Sequence, residues 1–356
     1  MSLLRLDIKQ LRSITATRVM LHPRYNVFYG ANGSGKTSIL EAVYLLGSGY
    51  SFRTRDTMSL VSHGHAALNV VARMHAQDRL SLHISRGGTS VRLNQRTCAR
   101  RSELATLLPC QVFHHDLFAI LEAGPCVRRS LLDWGLFHVK QEYHALWKDY
   151  RRVLKQRNTL LRQQARYALF EPWDKQLMLL SEALDTLREA YCREWFMLFD
   201  TVLHALTPLP CVLRYEKGWD KKKTGKRLDE LLKAQFETDL QRQYTHSGAH
   251  HADILFDSSS LKAKQQLSRG QQKIVLIALK LAQAQLLTTP CVYLFDDMTA
   301  ELDAPHIDRL FRLLATVKGQ FMFTTLDPQV FRRAFDAEDI SFFSVDQGQL
   351  MLGSSE

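Results

Sequence analysis

The chain has 356 residues with 46% hydrophobic content and a formal net charge of +11, long enough for about two lobes with their own cores. No apolar run reaches the ~18 residues of a membrane helix; the best candidate, KIVLIALKLAQAQLL, is cut by Lys280. The six cysteines are scattered with no C-x-x-C pair, which argues against a disulfide framework or a zinc site, and MSLLRLDIKQ carries charges where a secretory signal is apolar, so a cytoplasmic protein is expected.

Residues 2–8 and 14–21 read as two β-rich segments feeding a short buried strand, YNVFY (25–29). That strand runs into GANGSGKT (30–37) and then KTSILEAVYLLG (36–47), which reads as a helix. Strand, G-x-x-x-x-G-K-T and helix make up the phosphate-binding loop. Gly30 and Gly35 let the backbone curl so that successive N–H groups point at phosphate oxygens. Gly30, Ala31, Asn32, Gly33, Ser34, Gly35, Lys36, Thr37 and Ser38 are therefore expected to hold ATP. Lys36 reaches the β- and γ-phosphates, and Thr37 offers its hydroxyl to Mg2+.

Residues 66–74, 79–86 and 89–93 alternate as a meander, with turns at Gln77-Asp78 and Gly87-Gly88. LLPCQVF (107–113) reads as a core strand, and Gln111 near its end is the candidate γ-phosphate sensor. From about 126 to 205 glycine nearly vanishes and the pattern is helical. Tyr143, Trp147, Tyr150, Leu154, Arg157 and Leu161 step as one heptad seam, interrupted by Arg157. Trp173, Leu177, Leu180, Leu184, Leu187 and Tyr191 step as a second. With a turn over 163–172 this predicts an antiparallel hairpin of helices some 22 residues and about 33 Å long.

Charge gathers in the same region. Residues 140–166 hold eight basic side chains against two acidic ones, and residues 217–233 hold seven against three. Beside a nucleotide-binding lobe these clusters predict a nucleic-acid partner. Residues 207–228 read as a loop. THSGAHHAD (245–253) reads as a polar link whose His246, His250 and His251 are solvated rather than joined with Asp253 as metal ligands.

LSRGQQK (267–273) stands directly before a helix. It resembles the LSGGQ signature of ABC-type ATPases, with Arg269 where glycine is usual. The Ser268 hydroxyl, the Gly270 N–H, Gln271 and the helix dipole together suit a γ-phosphate. The resemblance implies that this element closes on a second subunit's nucleotide. Next comes VYLFDD (292–297), an apolar strand ending in two acids. Asp296 is expected to hold Mg2+ through water and Asp297 to polarise the attacking water; Lys36, Gln111 and Asp297 are the expected catalytic set. AELD (300–303), ending at Asp303, resembles the D-loop of a dimer interface. A helix (305–317), the strand QFMFTT (320–325), a further helix and a hairpin turning at Gly348 close the chain. Thr324 and Thr325 end that strand, where many relatives carry a switch histidine.

The combined set is similar to that of the RecF family, the SMC-like ATPases of bacterial recombinational repair. The matching stretches are NVFYGANGSGKTSILEAVYLLGSGYSFRT (26–54), GPCVRRSLLDWGLFH (124–138), LKQRNTLLRQ (154–163), LSRGQQK and YLFDDMTAELD (293–303). The resemblance implies an α/β fold, an ABC-type (SMC-like) P-loop ATPase head with an inserted short antiparallel helical arm domain. Residues 1–112 and 251–356 would form the head and 113–250 the arm. It further implies ATP-dependent homodimerisation on single- and double-stranded DNA at gaps or junctions, weak DNA-stimulated ATP hydrolysis, and action with RecR and RecO to place RecA on SSB-coated strands near the nucleoid. Three stretches depart from the family pattern: His114-His115-Asp116 for Pro-Glu-Asp, Leu11-Arg12-Ser13 for Phe-Arg-Asn, and Ala249 for proline. A transporter subunit predicts a neutral arm, an ABC-type nuclease needs a further acidic metal cluster, and a cohesion ATPase needs arms of hundreds of residues. None of these fits the basic, short hairpin.

Overall fold

The computed structural model describes residues 2–74, 78–98, 100–258, 261–262 and 267–353. The chain divides into two compact units, Met1–Leu117 with Leu287–Glu356, and Phe118–Leu286.

The first unit is built on two six-stranded sheets. One has the spatial order Gln349–Leu352, Ile340–Asp346, Tyr25–Tyr29, Gly319–Thr325, Cys291–Phe295, Cys110–Phe113. Only the Gln349–Leu352 edge is antiparallel. Its central strands are apolar without alternation, as CVYLF shows, because parallel strands are covered on both faces. The other sheet is an antiparallel meander over residues 3–20 and 67–97. Its strand Ala67–Met74 alternates buried and more exposed positions, as a sheet with one covered face must. The helix Lys36–Ser48 packs against strands of both sheets and joins them in one core through Ile39, Leu40, Val43 and Leu46. Of the expected turn at Gln77-Asp78, Gln77 lies outside the described residues. The hairpin between the next two strands turns at Arg86-Gly87, and Gly88 begins the following strand.

The second unit carries the helices Pro125–Val139, Tyr143–Arg162, Glu171–Leu206 and Arg269–Gln285. The long pair departs from the expected symmetric hairpin. The first helix has 20 residues and the second 36, about 54 Å at 1.5 Å per residue, because nothing after Pro172 interrupts it before Leu206. Beyond the hairpin the long helix packs on Arg269–Gln285, where the Trp195 indole N–H donates to the Leu279 carbonyl at 2.9 Å. That helix, which the sequence places in the head, therefore clusters with the arm, and the unit boundaries fall at 117/118 and 286/287 instead of 112/113 and 250/251.

The seam also differs from its heptads. Asp174, Ser181 and Arg188 are buried where Trp173, Leu180 and Leu187 were expected to face inward. Arg157 is fully buried, its Nε 2.7 Å from Asp174 Oδ1 and its Nη1 2.7 Å from Asp239 Oδ2. Arg188 donates to Asp133 Oδ1 at 2.8 Å and to the Ala249 carbonyl at 2.5 Å. Charges this deep need partners, so Arg157 belongs to the interior and leaves the basic surface cluster. The segment 207–228 is likewise more than a loop. Val212–Glu216 pairs with Asp253–Ser258, and Asp220 ties the Thr224 and Gly225 N–H groups. The histidines of THSGAHHAD are not all solvated: His250 is half-buried, bonded to the Tyr150 hydroxyl at 2.5 Å and the Thr245 carbonyl at 3.0 Å. Among the described residues no helix is long and apolar enough to cross a membrane.

Candidate nucleotide site

The glycine loop sits where the strand Tyr25–Tyr29 meets the N-terminus of Lys36–Ser48. Gly30 has φ 153° and a side chain there would stand 2.2 Å from the Val345 carbonyl oxygen, so the position admits glycine alone. Gly35 caps the helix at φ 112°. The Lys36 ammonium donates to the carbonyls of Gly30 at 2.7 Å and Ala31 at 2.8 Å. Burial lowers its pKa, and Asp297 and Asp296 pull the other way. The Ser34 hydroxyl is buried and, among the described residues, has no hydrogen-bond partner. A loop curled this way, with a half-buried ammonium at its cavity, suits a polyphosphate.

The loop opens on a cavity of about 500 Å³. Asn32, Gly33, Gly35, Lys36, Thr37 and Ser38 line it from the loop and helix, and Asp296 and Asp297 from the end of the strand Cys291–Phe295. Asp296 is held from three elements. Its N–H donates to the Phe113 carbonyl at 2.8 Å, and its Oδ1 accepts from the Thr37 and Thr324 hydroxyls, each at 2.8 Å. The Asp297 N–H donates to Thr324 Oγ1 at 2.8 Å. Asp297 itself has φ 50°, a left-handed backbone that Asp tolerates better than most residues. The Thr37 hydroxyl beside the Asp296 carboxylate fits a hard, oxygen-seeking cation such as Mg2+. Thr324 thus holds both acids, although the sequence marks it only as the place of a switch residue.

Arg12, Arg53, His115 and Leu326 also line the cavity. Arg12 binds the fully buried Glu41 through Nε at 2.5 Å and Nη2 at 2.9 Å, and this hydrogen bond raises its pKa against the opposing effect of burial. Glu41 also accepts from the Ser51 hydroxyl and lies 4.0 Å from Arg53 Nη1. The sequence signal missed was Glu41 itself, an acid inside an apolar helix turn. Gln111 stands apart from these residues. It is 3% exposed inside the strand Cys110–Phe113, opposite Tyr293, and does not line the cavity. All of that strand is buried, Gln111 with it, and His115 just past the strand end is a side chain that lines the cavity. His114, His115 and Asp116 also form the one described group of three with closely set metal-ligand atoms; His246, His250, His251 and Asp253 form none among the described residues.

Gly30, Ala31 and Ser34 form the back of the loop and do not line the cavity. Ser268, Gly270 and Gln271 belong to the helical unit. The Ser268 hydroxyl accepts from the Gln271 N–H at 3.3 Å and Gln271 Oε1 accepts from the Ser268 N–H at 2.9 Å, a reciprocal cap. Both Ser268 and Arg269 are exposed. Asp303 caps the helix Ala304–Thr316 by accepting from the His306 N–H at 3.0 Å. The helical unit has its own cavity of about 690 Å³ beside Trp219 and Lys221, with none of the phosphate-loop residues and a mixture of acids and bases that matches no one ligand.

The family model of the RecF/RecN/SMC N-terminal domain matches residues 2–350. The chain is 38% identical over 363 residues to the DNA replication and repair protein RecF of Marinomonas sp. (strain MWYL1), covering 99% of this chain and 98% of that one. It is 38% identical over 362 residues to that of Chromohalobacter salexigens, covering 99% of each. A solved structure of the recombination mediator protein RecF with ATP, of the RecFOR pathway, superposes with a TM-score of 0.84 at 21% identity over 99% of this chain and 98% of that one. An Smc head bound to the C-terminal winged-helix domain of ScpA superposes with 0.60 at 17% identity over 100% and 98%. These two likenesses show the fold, an ABC-type head.

Proposed function

Because the chain belongs to the RecF family of DNA replication and repair proteins, SMC-type ATPases, we propose that it binds ATP, closes as a homodimer on gapped or junction DNA, and opens on hydrolysis. In that role it helps RecO and RecR load RecA on SSB-coated single strands in the cytoplasm. The observation that carries the reading is the union of Thr37, Asp296 and Thr324 above the glycine loop.

The loop N–H groups and Lys36 bind the triphosphate, in place of the Gly30 and Ala31 carbonyls that the ammonium now touches. Mg2+, when bound, neutralises charge on the β- and γ-phosphates, and Thr37 and Asp296 are the residues that would hold it. Asp297, kept apart from Asp296 by its left-handed backbone and the bond to Thr324, accepts a proton from the attacking water. The signature of a second copy, with Ser268 at a capped helix start, covers the γ-phosphate. DNA meets the outer face of Tyr143–Arg162, where Lys148, Arg151, Lys155 and Arg162 are exposed.

Sedimentation with ATP, ADP or neither, with and without gapped DNA, tests this. Lys36→Ala should lose ATP binding and stay monomeric. Asp297→Asn should bind ATP, hydrolyse it poorly and persist as a dimer on DNA. A monomeric Asp297→Asn with ATP bound contradicts the closed-dimer reading.

A further inference from the structure

Arg269 stands where the ABC signature usually has glycine, and its side chain has a defined destination. Its Nη1 lies 2.5 Å from Glu122 Oε1, and its guanidinium covers the Phe118 ring at 4.7 Å from the centroid. Phe118 is buried. Glu122 ends the short helix Ala119–Glu122. The start of the signature helix is thus fixed twice, by its own Ser268–Gln271 cap and by a clamp from residues 118–122. The clamp is continuous in sequence with the nucleotide strand. Phe113, whose carbonyl takes the Asp296 N–H, is five residues before Phe118, and His115, which lines the cavity, is three before it.

We propose that Arg269 is a positioning residue for ATP hydrolysis. Through Glu122 and Phe118 it fixes the start of the signature helix, so that Ser268 is held as it must be to meet the other copy's γ-phosphate. The inference rests on the closed-dimer reading above. Ion pairing and stacking of this kind are modest per contact, because Arg269 and Glu122 are 60% and 39% exposed, but a symmetric dimer uses the clamp twice.

The test is a charge swap in the full chain. Arg269→Glu and Glu122→Arg should each leave the thermal midpoint and the ATP affinity of the single chain near the parent's while weakening ATP-dependent dimerisation about tenfold, with hydrolysis falling in parallel. The double variant, with the charges exchanged, should recover most of both. Glu122→Gln keeps the shape and removes the charge, and gives the same loss should a reversal variant not fold. Single variants that dimerise like the parent overturn the inference, as does a double variant that recovers nothing, since Arg269 would then act without Glu122. Ser268→Arg separates the two readings. If it fails to dimerise while the clamp variants behave as the parent does, the closed dimer stands and the role of Arg269 falls. If it dimerises and hydrolyses normally, the closed-dimer reading falls first.

Discussion

The Thr37 hydroxyl and the Asp296 carboxylate, 259 residues apart, share a 2.8 Å hydrogen bond. It sets a hydroxyl at the helix start beside a carboxylate at a strand end, the pair suited to one Mg2+. Thr37→Ala or Asp296→Asn should leave the fold intact and raise the Mg2+ concentration needed for half-maximal hydrolysis by at least about tenfold. A Mg2+ titration of ATPase activity reads this directly; an unchanged midpoint in both variants removes these residues from the metal's surroundings.

Ser268 offers a complementation experiment. As a mere cap, Ser268→Arg would cost about 1 kcal/mol of stability and little else. In a closed dimer it puts a bulky cation at the γ-phosphate, so dimerisation and hydrolysis both fail while the single chain still binds ATP. A mixed dimer of Ser268→Arg with Lys36→Ala has one doubly defective site and one intact site. Mixing the two inactive proteins should recover part of the activity, and no recovery at any ratio means that catalysis is not shared between copies.

The basic helix Tyr143–Arg162 separates stability from DNA binding. Arg157→Leu strands Asp174 and Asp239 in the interior and should cost about 3–5 kcal/mol in urea melts. Arg151→Ala, on the exposed face, should leave stability nearly unchanged and reduce the log–log salt slope of DNA affinity by about one. Equal melts for the two variants would place Arg157 on the surface.

Burial lowers the pKa of His250 to about 3 and that of His138 to about 4, from the ordinary 6.5. In the fold His250 is neutral, its Nε2–H directed at the Thr245 carbonyl and its Nδ1 taking the Tyr150 hydroxyl proton. Below pH 6.5 the unfolded chain binds protons that the folded chain refuses, so stability falls as pH drops from there towards 4, by at most about 1.4 kcal/mol per pH unit for each histidine. The urea midpoint should be lower at pH 5 than at pH 7, and His250→Gln should shrink that difference. An identical drop in the variant assigns the pH dependence elsewhere.

Much of the nucleotide site was legible because its parts are local. A strand, two glycines and a lysine at set spacing dictate the curl of GANGSGKT wherever it folds, and the acids after VYLF must emerge at a strand end. The burial of Gln111 was not legible, because a glutamine near a strand end looks the same whether alternation turns it inward or outward. Neighbouring strands settle that, and here they bury it opposite Tyr293.

The sequence by itself determined the head's fold class, the phosphate loop, the paired acids and the capped signature helix, since each follows from residues within a few positions of one another. Only the tertiary structure decided that Thr324 bonds Asp296 and Asp297, that Arg157 and Arg188 are interior charges, and that Arg269 reaches Glu122. Those contacts join residues 17 to 147 positions apart, on different elements. Strand order, register and helix packing bring them together, and a hydrophobic period of seven cannot distinguish a leucine seam from one that shifts by a residue to hold a buried salt bridge.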